Sequence, residues 1–160
     1  MNLPQDAKIW IFQSSRNFNS EEIAEIETTL DIFMKEWNAH GAAMTSAYAL
    51  PYDRFIVIAA DEDKVAASGC SIDSMTRIIK ALEEKYSFGL LNRMLVSYKI
   101  NDEIITLPLK EFKQKVKSNE IPETAGVFHN GLTSLRDFEE GWELPLRESW
   151  VKPLLNVASV

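Results

Sequence analysis

The sequence predicts an α+β fold. The expected form is a two-layer sandwich with a ferredoxin-like β-α-β-β-α-β core, then a C-terminal hairpin strand, a helix and an aromatic-rich tail. Three observations predict it. Ala7 to Gln13 and Arg54 to Ala60 are short apolar runs of strand length. Two longer segments carry apolar residues at helical spacing. These pieces alternate in an order that lets two helices cover one face of a sheet.

The run A-K-I-W-I-F-Q, Ala7 to Gln13, is the first strand. Ser14 to Asn19 is polar and turn-forming, and Asn19 or Ser20 can cap a helix whose first turn holds Glu21 and Glu22. Ile23, Ile26, Leu30, Phe33, Met34 and Trp37 share one stripe of that helix, which Gly41 ends. Thr45 to Leu50 and Arg54 to Ala60 form a hairpin around Pro51-Tyr52-Asp53. Asp61 to Ser71 reads as loop. Ser71 or Asp73 then caps a helix with Met75, Ile78, Ile79 and Leu82 inward, running to about Tyr86.

Arg93 to Ile100 and Ile104 to Leu107 form a second hairpin through Asn101-Asp102-Glu103. Pro108 suits the first turn of a third helix that reaches about Ser118. Val127-Phe128 reads as a short strand, Thr133 to Glu140 as a short helix, and Gly141 to Val160 as irregular. A chain of 160 residues is expected to form one domain, with a core over about 7–107 and an extension over about 108–160.

The formal net charge of -7 opposes phosphate backbones and anionic bilayers, so neither nucleic acid nor a membrane is the expected partner. One cysteine forms no intrachain disulfide and fits a reducing compartment. Without a basic-then-apolar leader or an apolar run near 20 residues, the expected location is the cytoplasm. His40 and His129 stand alone, and Asp61, Glu62, Asp63 and Asp73 lack the alternation of a calcium loop. No metal or cofactor is implied.

The segment Ser68-Gly69-Cys70-Ser71-Ile72-Asp73-Ser74 is the candidate site, because it joins an apolar strand to a helix start with small polar residues. In the expected topology the first and third strands lie parallel and adjacent. Ser14-Ser15-Arg16 would then stand beside Ser68 to Asp73, bringing two helix N-termini to one spot. Arg16 supplies a forked cation, Ser14, Ser15, Ser68 and Ser71 supply hydroxyls, and Gly69 permits close approach. Asp73 would hold the loop or the arginine. Plain helix capping alone explains most of these residues, and Arg16 could pair with Asp61, Glu62 or Asp73.

The resulting expectation is non-catalytic binding of a small anionic ligand or of a partner protein's carboxylate. Two alternatives stand beside it. Cys70 at a helix start could serve as a nucleophile in a thiol enzyme. The aromatic tail or a hairpin edge could serve as the surface of a structural or interaction module. Trp10, Phe12, Trp142 and Trp150 are expected to fill the open sheet face, and Lys110, Lys113, Lys115 and Lys117 to form a solvated helix face.

Three stretches carry a family likeness: Trp10 to Arg16, Ser68 to Ser74, and Trp142-Glu143-Leu144-Pro145 with Ser149-Trp150. Over nearly its whole length the chain resembles a family of small bacterial proteins found mainly in the Bacteroidetes, often labelled "ABC transporter ATPase". The resemblance brings no established activity. Gly126 to Thr133 has the spacing G-x-x-x-x-G-x-T, and Ile56 to Glu62 is similar to an apolar strand ending in acids. Leu132 stands where a phosphate-binding loop needs lysine, and the lookalike follows the acidic strand instead of preceding it. The residues therefore argue against ATP hydrolysis.

Overall fold

The run F-I-V-I-A-A-D forms β3 (Phe55–Asp61), the middle strand of the first sheet. Phe55, Val57 and Ala59 point to one face, Ile56, Ile58 and Ala60 to the other, and all six are fully buried. A strand enclosed on both faces has no place for alternating polar residues, which is why its sequence is continuously apolar. A computed structural model describes residues 1–39, 45–61 and 69–155, with only the main chain at 38, 39 and 69–71. Gly41, His40, Glu62, Asp63 and Ser68 lie outside the described residues.

The chain divides into two units, Met1–Leu91 with Leu132–Phe138, and Asn92–Gly131 with Glu139–Val160. In the first, β1 (Lys8–Gln13) pairs antiparallel with β3, setting Lys8 opposite Ala60 and Gln13 opposite Phe55. On the other side β2 (Thr45–Ala49) pairs antiparallel with β3, setting Thr45 opposite Asp61. The order is β1-β3-β2. Helices α1 (Ser20–Ala39) and α2 (Gly69–Tyr86) cover one face. Their Ile26, Leu30, Phe33, Trp37, Met75, Ile79 and Leu82 pack with Phe12, Ile56 and Ile58.

The outer edge of β1 is closed by a late segment. Ile9 N–H donates to Thr133 O at 3.0 Å, Leu135 N–H donates to Ala7 O at 2.9 Å, and Lys8 bridges antiparallel to Ser134. Ser134 also accepts from Asp137 N–H at 3.2 Å, capping α4 (Leu135–Gly141).

The second unit holds an antiparallel sheet of order β5-β4-β6-β7. Its strands are β4 (Leu95–Ile100), β5 (Glu103–Pro108), β6 (Gly126–Phe128) and β7 (Glu143–Pro145). α3 (Leu109–Lys117) and the short α5 (Lys152–Leu155) cover one face. Val96, Tyr98, Phe112, Val116, Val127, Leu146 and Val151 form its core.

The α+β class stands, and the arrangement of strands corrects the expected one. β4 has β5 on one side and β6 on the other, so neither side is left for β1. The tight β4–β5 turn, with Asn101 at φ 57°, commits β4 to its hairpin partner. β1 and β3 are adjacent as expected but antiparallel, because the turn after β2 reverses the chain before β3 begins. Tyr52 and Asp53 make that turn at φ 58° and 51°. Asp61 belongs to β3 and Gly69 to Ser71 belong to α2, not to a loop. The stretch read as irregular contains β7 and α5.

Among the described residues, no helix is long and apolar enough to cross a membrane. Ile58→Ala removes a fully buried side chain from the middle of β3. It should lower unfolding free energy by about 2–5 kcal/mol, read as a lower urea midpoint at unchanged slope.

Candidate functional site

The loop after β1 is held by its own short-range bonds. Ser14 is buried. Its N–H donates to Arg54 O at 2.8 Å, and its hydroxyl donates to Arg16 O at 2.6 Å while accepting from Arg16 N–H at 3.2 Å. Ser15 N–H donates to Phe88 O and Phe18 N–H to Asp53 O, both at 2.7 Å. Asn19 and Glu22 form a capping box at the start of α1. Glu22 N–H donates to Asn19 Oδ1 at 2.9 Å, and Asn19 N–H donates to Glu22 Oε1 at 2.8 Å.

Arg16 closes this loop onto the helix. Its two terminal nitrogens donate to the two oxygens of Glu22 at 2.8 and 2.7 Å, and its guanidinium lies 4.8 Å from the centre of the Phe88 ring. Hydrogen bonding to Glu22 raises the Arg16 pKa, and hydrogen bonding to Arg16 holds the Glu22 carboxyl below its ordinary value. Buried Arg54 donates to Asn17 Oδ1 at 3.0 Å and Ser15 O at 2.8 Å, and burial lowers its pKa. Arg16 thus pairs with a carboxylate, but with Glu22 rather than with Asp61, Glu62 or Asp73. The N-S-E-E spacing from Asn19 to Glu22 carried the signal for the capping box, not for the pair with Arg16.

The other half of the expected site stands elsewhere. Gly69, Cys70 and Ser71 are in the first turn of α2, and Asp73 is exposed on it. The side chains of the first three lie outside the described residues. Arg16 instead contacts Phe88, two residues beyond the end of α2 at Tyr86. The 18 residues of α2 span about 27 Å at 1.5 Å per residue. Among the described residues, Arg16 and its loop thus stand by the far end of α2 from Cys70 and Asp73. The antiparallel register of β1 and β3 is the cause, since the end of β1 meets the beginning of β3. The end of α2 near Phe88 carries partial negative charge, which suits a cation, and Glu22 offsets the positive start of α1 beside Arg16.

Other candidates resolve into packing. Trp10 lies 5.9 Å from Trp37 of α1, while Trp142 packs tilted against Phe128 at 4.7 Å and Trp150 tilted against Phe112 at 5.8 Å between ring centres. Trp10 and Phe12 thus pack in the core of the first unit, while Trp142 and Trp150 each pair with a phenylalanine within the second. Gly126 sits inside β6, opposite Lys99 and Pro145, and no helix follows Gly131 until Leu135. That segment is strand and turn, not a loop wrapped around phosphate.

Main-chain edges are the remaining places where partners could attach. β1 is closed by Ser134, and β7 has three residues ending in Pro145. β2 also ends its sheet, with five residues, and β5 is the longest open edge among the described residues: Glu103-Ile104-Ile105-Thr106-Leu107-Pro108, with the four central residues half-buried and uncharged. Leu109 N–H donates to Met94 O at 2.7 Å, in continuation of the β4–β5 register. Antiparallel alternation from that pair aims the N–H and C=O of Ile104 away from β4. Comparison with family models, curated proteins and solved structures finds no match to this chain.

Asn19→Ala should cost about 1 kcal/mol of stability by removing the cap. Because the folded pKa of Glu22 is lowered, its contribution is present above the ordinary carboxylate range and is lost as pH falls through the lowered value. The thermal midpoints of the natural chain and Glu22→Gln should therefore converge between about pH 6 and about pH 3.

Proposed function

We propose that this chain is a non-catalytic binding protein of the cytoplasm that takes an extended segment of a partner protein along the outer edge of β5. The outward main-chain groups of Ile104 carry this reading. Support comes also from what surrounds them. β5 ends its sheet, bears no charge between Glu103 and Pro108, and has its proline only at the last position. Arg16, the cation expected to hold an anion, is already bound at two points by Glu22. The cytoplasmic placement rests on the single cysteine.

An added strand would sit about 4.8 Å from β5 and extend the sheet by main-chain pairing. Each such hydrogen bond contributes about 0.5–1.5 kcal/mol net, so side-chain contacts must supply selectivity. Ile105 and Leu107 are partly buried against the core face and offer apolar contact there, while Ile104 lies on the opposite face.

A capped peptide of alternating Val and Thr is the probe, titrated into labelled protein and followed by NMR. The Ile104 amide should shift and exchange more slowly with solvent. Ile104→Pro removes an outward N–H without breaking a β4–β5 bond, so it should fold normally and lose the effect. Unchanged β5 amides, or equal binding by the proline variant, would refute the proposal.

A further inference from the structure

We infer that the segment captured along β5 is acidic, and that a lysine stripe on α3 selects it; this rests on the β5 reading. α3 begins at Leu109, directly after β5 ends at Pro108, and lies over β5 and β4 with Phe112 and Val116 inward. Lys110, Lys113 and Lys117 recur at i, i+3 and i+7, so they share one side of the helix. All three are exposed, and none makes an ion pair among the described residues. By contrast, Lys115 pairs with Glu120 at 3.9 Å and Lys99 with Glu143 at 2.8 Å.

Part of this placement is unfavourable within the chain alone, although Lys117 in the last turn suits the helix dipole. Lys113 and Lys117 are like charges at i, i+4, and Lys110 is one turn from Lys113, which destabilises a helix by a few tenths of a kcal/mol per pair, about 0.2–0.5. Lys110 also stands in the first turn, at the positive end of the helix dipole. Carboxylates on a strand added to β5 would lie one strand spacing from the element that α3 covers, and would oppose the charge of the stripe.

The stripe suits a short acidic segment better than a nucleic acid. From Lys110 to Lys117 it runs about 10 Å. Carboxylates bound the same region: burial raises the pKa of Tyr98, and Glu111, Glu103 and Glu120 add to that rise. A phosphate backbone, charged at every nucleotide, would meet these acids past the stripe, whereas a peptide can set neutral residues opposite Glu103 and carboxylates only near the lysines.

The test uses the full chain and three fluorescent capped peptides on one Val/Thr framework, with alternate residues neutral, Glu or Lys. The Glu peptide should bind at least about ten-fold more tightly than the neutral one at low salt, with the advantage fading toward about 0.5 M salt. Lys110→Glu with Lys113→Glu and Lys117→Glu should reverse the preference between Glu and Lys peptides. The matching Gln variants should remove it. Ile104→Pro should abolish binding of the Glu peptide.

Equal affinity for neutral and Glu peptides overturns the acidic selection and leaves the β5 reading standing. Binding of none of the peptides overturns both. Glu-peptide binding that survives Ile104→Pro shows lysines acting apart from β5 and overturns the inference. So does tighter binding of oligo-dT or of phosphatidylserine vesicles, or light scattering that shows β5 occupied by a second copy.

Discussion

The first unit depends on the enclosure of β3 on both of its faces and both of its edges. Its side chains leave no exposed row, so the strand must be central, and the reversing turn after β2 sets its neighbours to run against it. That fixes the direction of β1 relative to β3, and the direction fixes which loops can meet. The loop after β1 is carried to the start of β3 and the far end of α2. Pairing in a middle strand, rather than any residue of the loops, thus decides where the polar groups of Ser14 to Asn19 are used.

They are used to anchor the chain. Ser14, Asn17, Asn19, Glu22, Arg16 and Arg54 satisfy one another and the exposed main chain of two turns. A forked cation held at two points by a carboxylate is poorly placed to receive a further anion, since that anion must first displace a charge-assisted pair. A site for a partner is better sought where main-chain groups are aimed outward. In the second unit the two edges differ in kind: β7 is short and stopped by Pro145, whereas β5 keeps six residues and a central apolar stretch.

Much of this was legible in the sequence. The strand of Ala7 to Gln13, the stripe from Ile23 to Trp37, the hairpin through Asn101 and the helix after Pro108 all follow from periodicity and turn chemistry. The pairing of strands was not legible, because local pattern states that a segment is extended and not which neighbour it takes. β4 shows this: its residues suit either sheet, and the tight turn at Asn101 decides. β7 and α5 were missed because three or four residues carry no measurable period. For the site, the capping pair Asn19 and Glu22 could have been found from spacing alone, whereas the partnering of Arg16 with Phe88 required the fold.

Ser134 beside β1 gives the chain an order of completion in time. The ribosome delivers Met1 to Leu91 first, then about 40 residues of the other unit, and only afterwards the piece that closes the border of β1. At about 5–20 residues per second, the nascent protein spends several seconds with that border bare. A newly made molecule is thus most prone to cross-pairing with its siblings before about the last sixth of translation, and a prematurely ended chain would keep that vulnerability permanently.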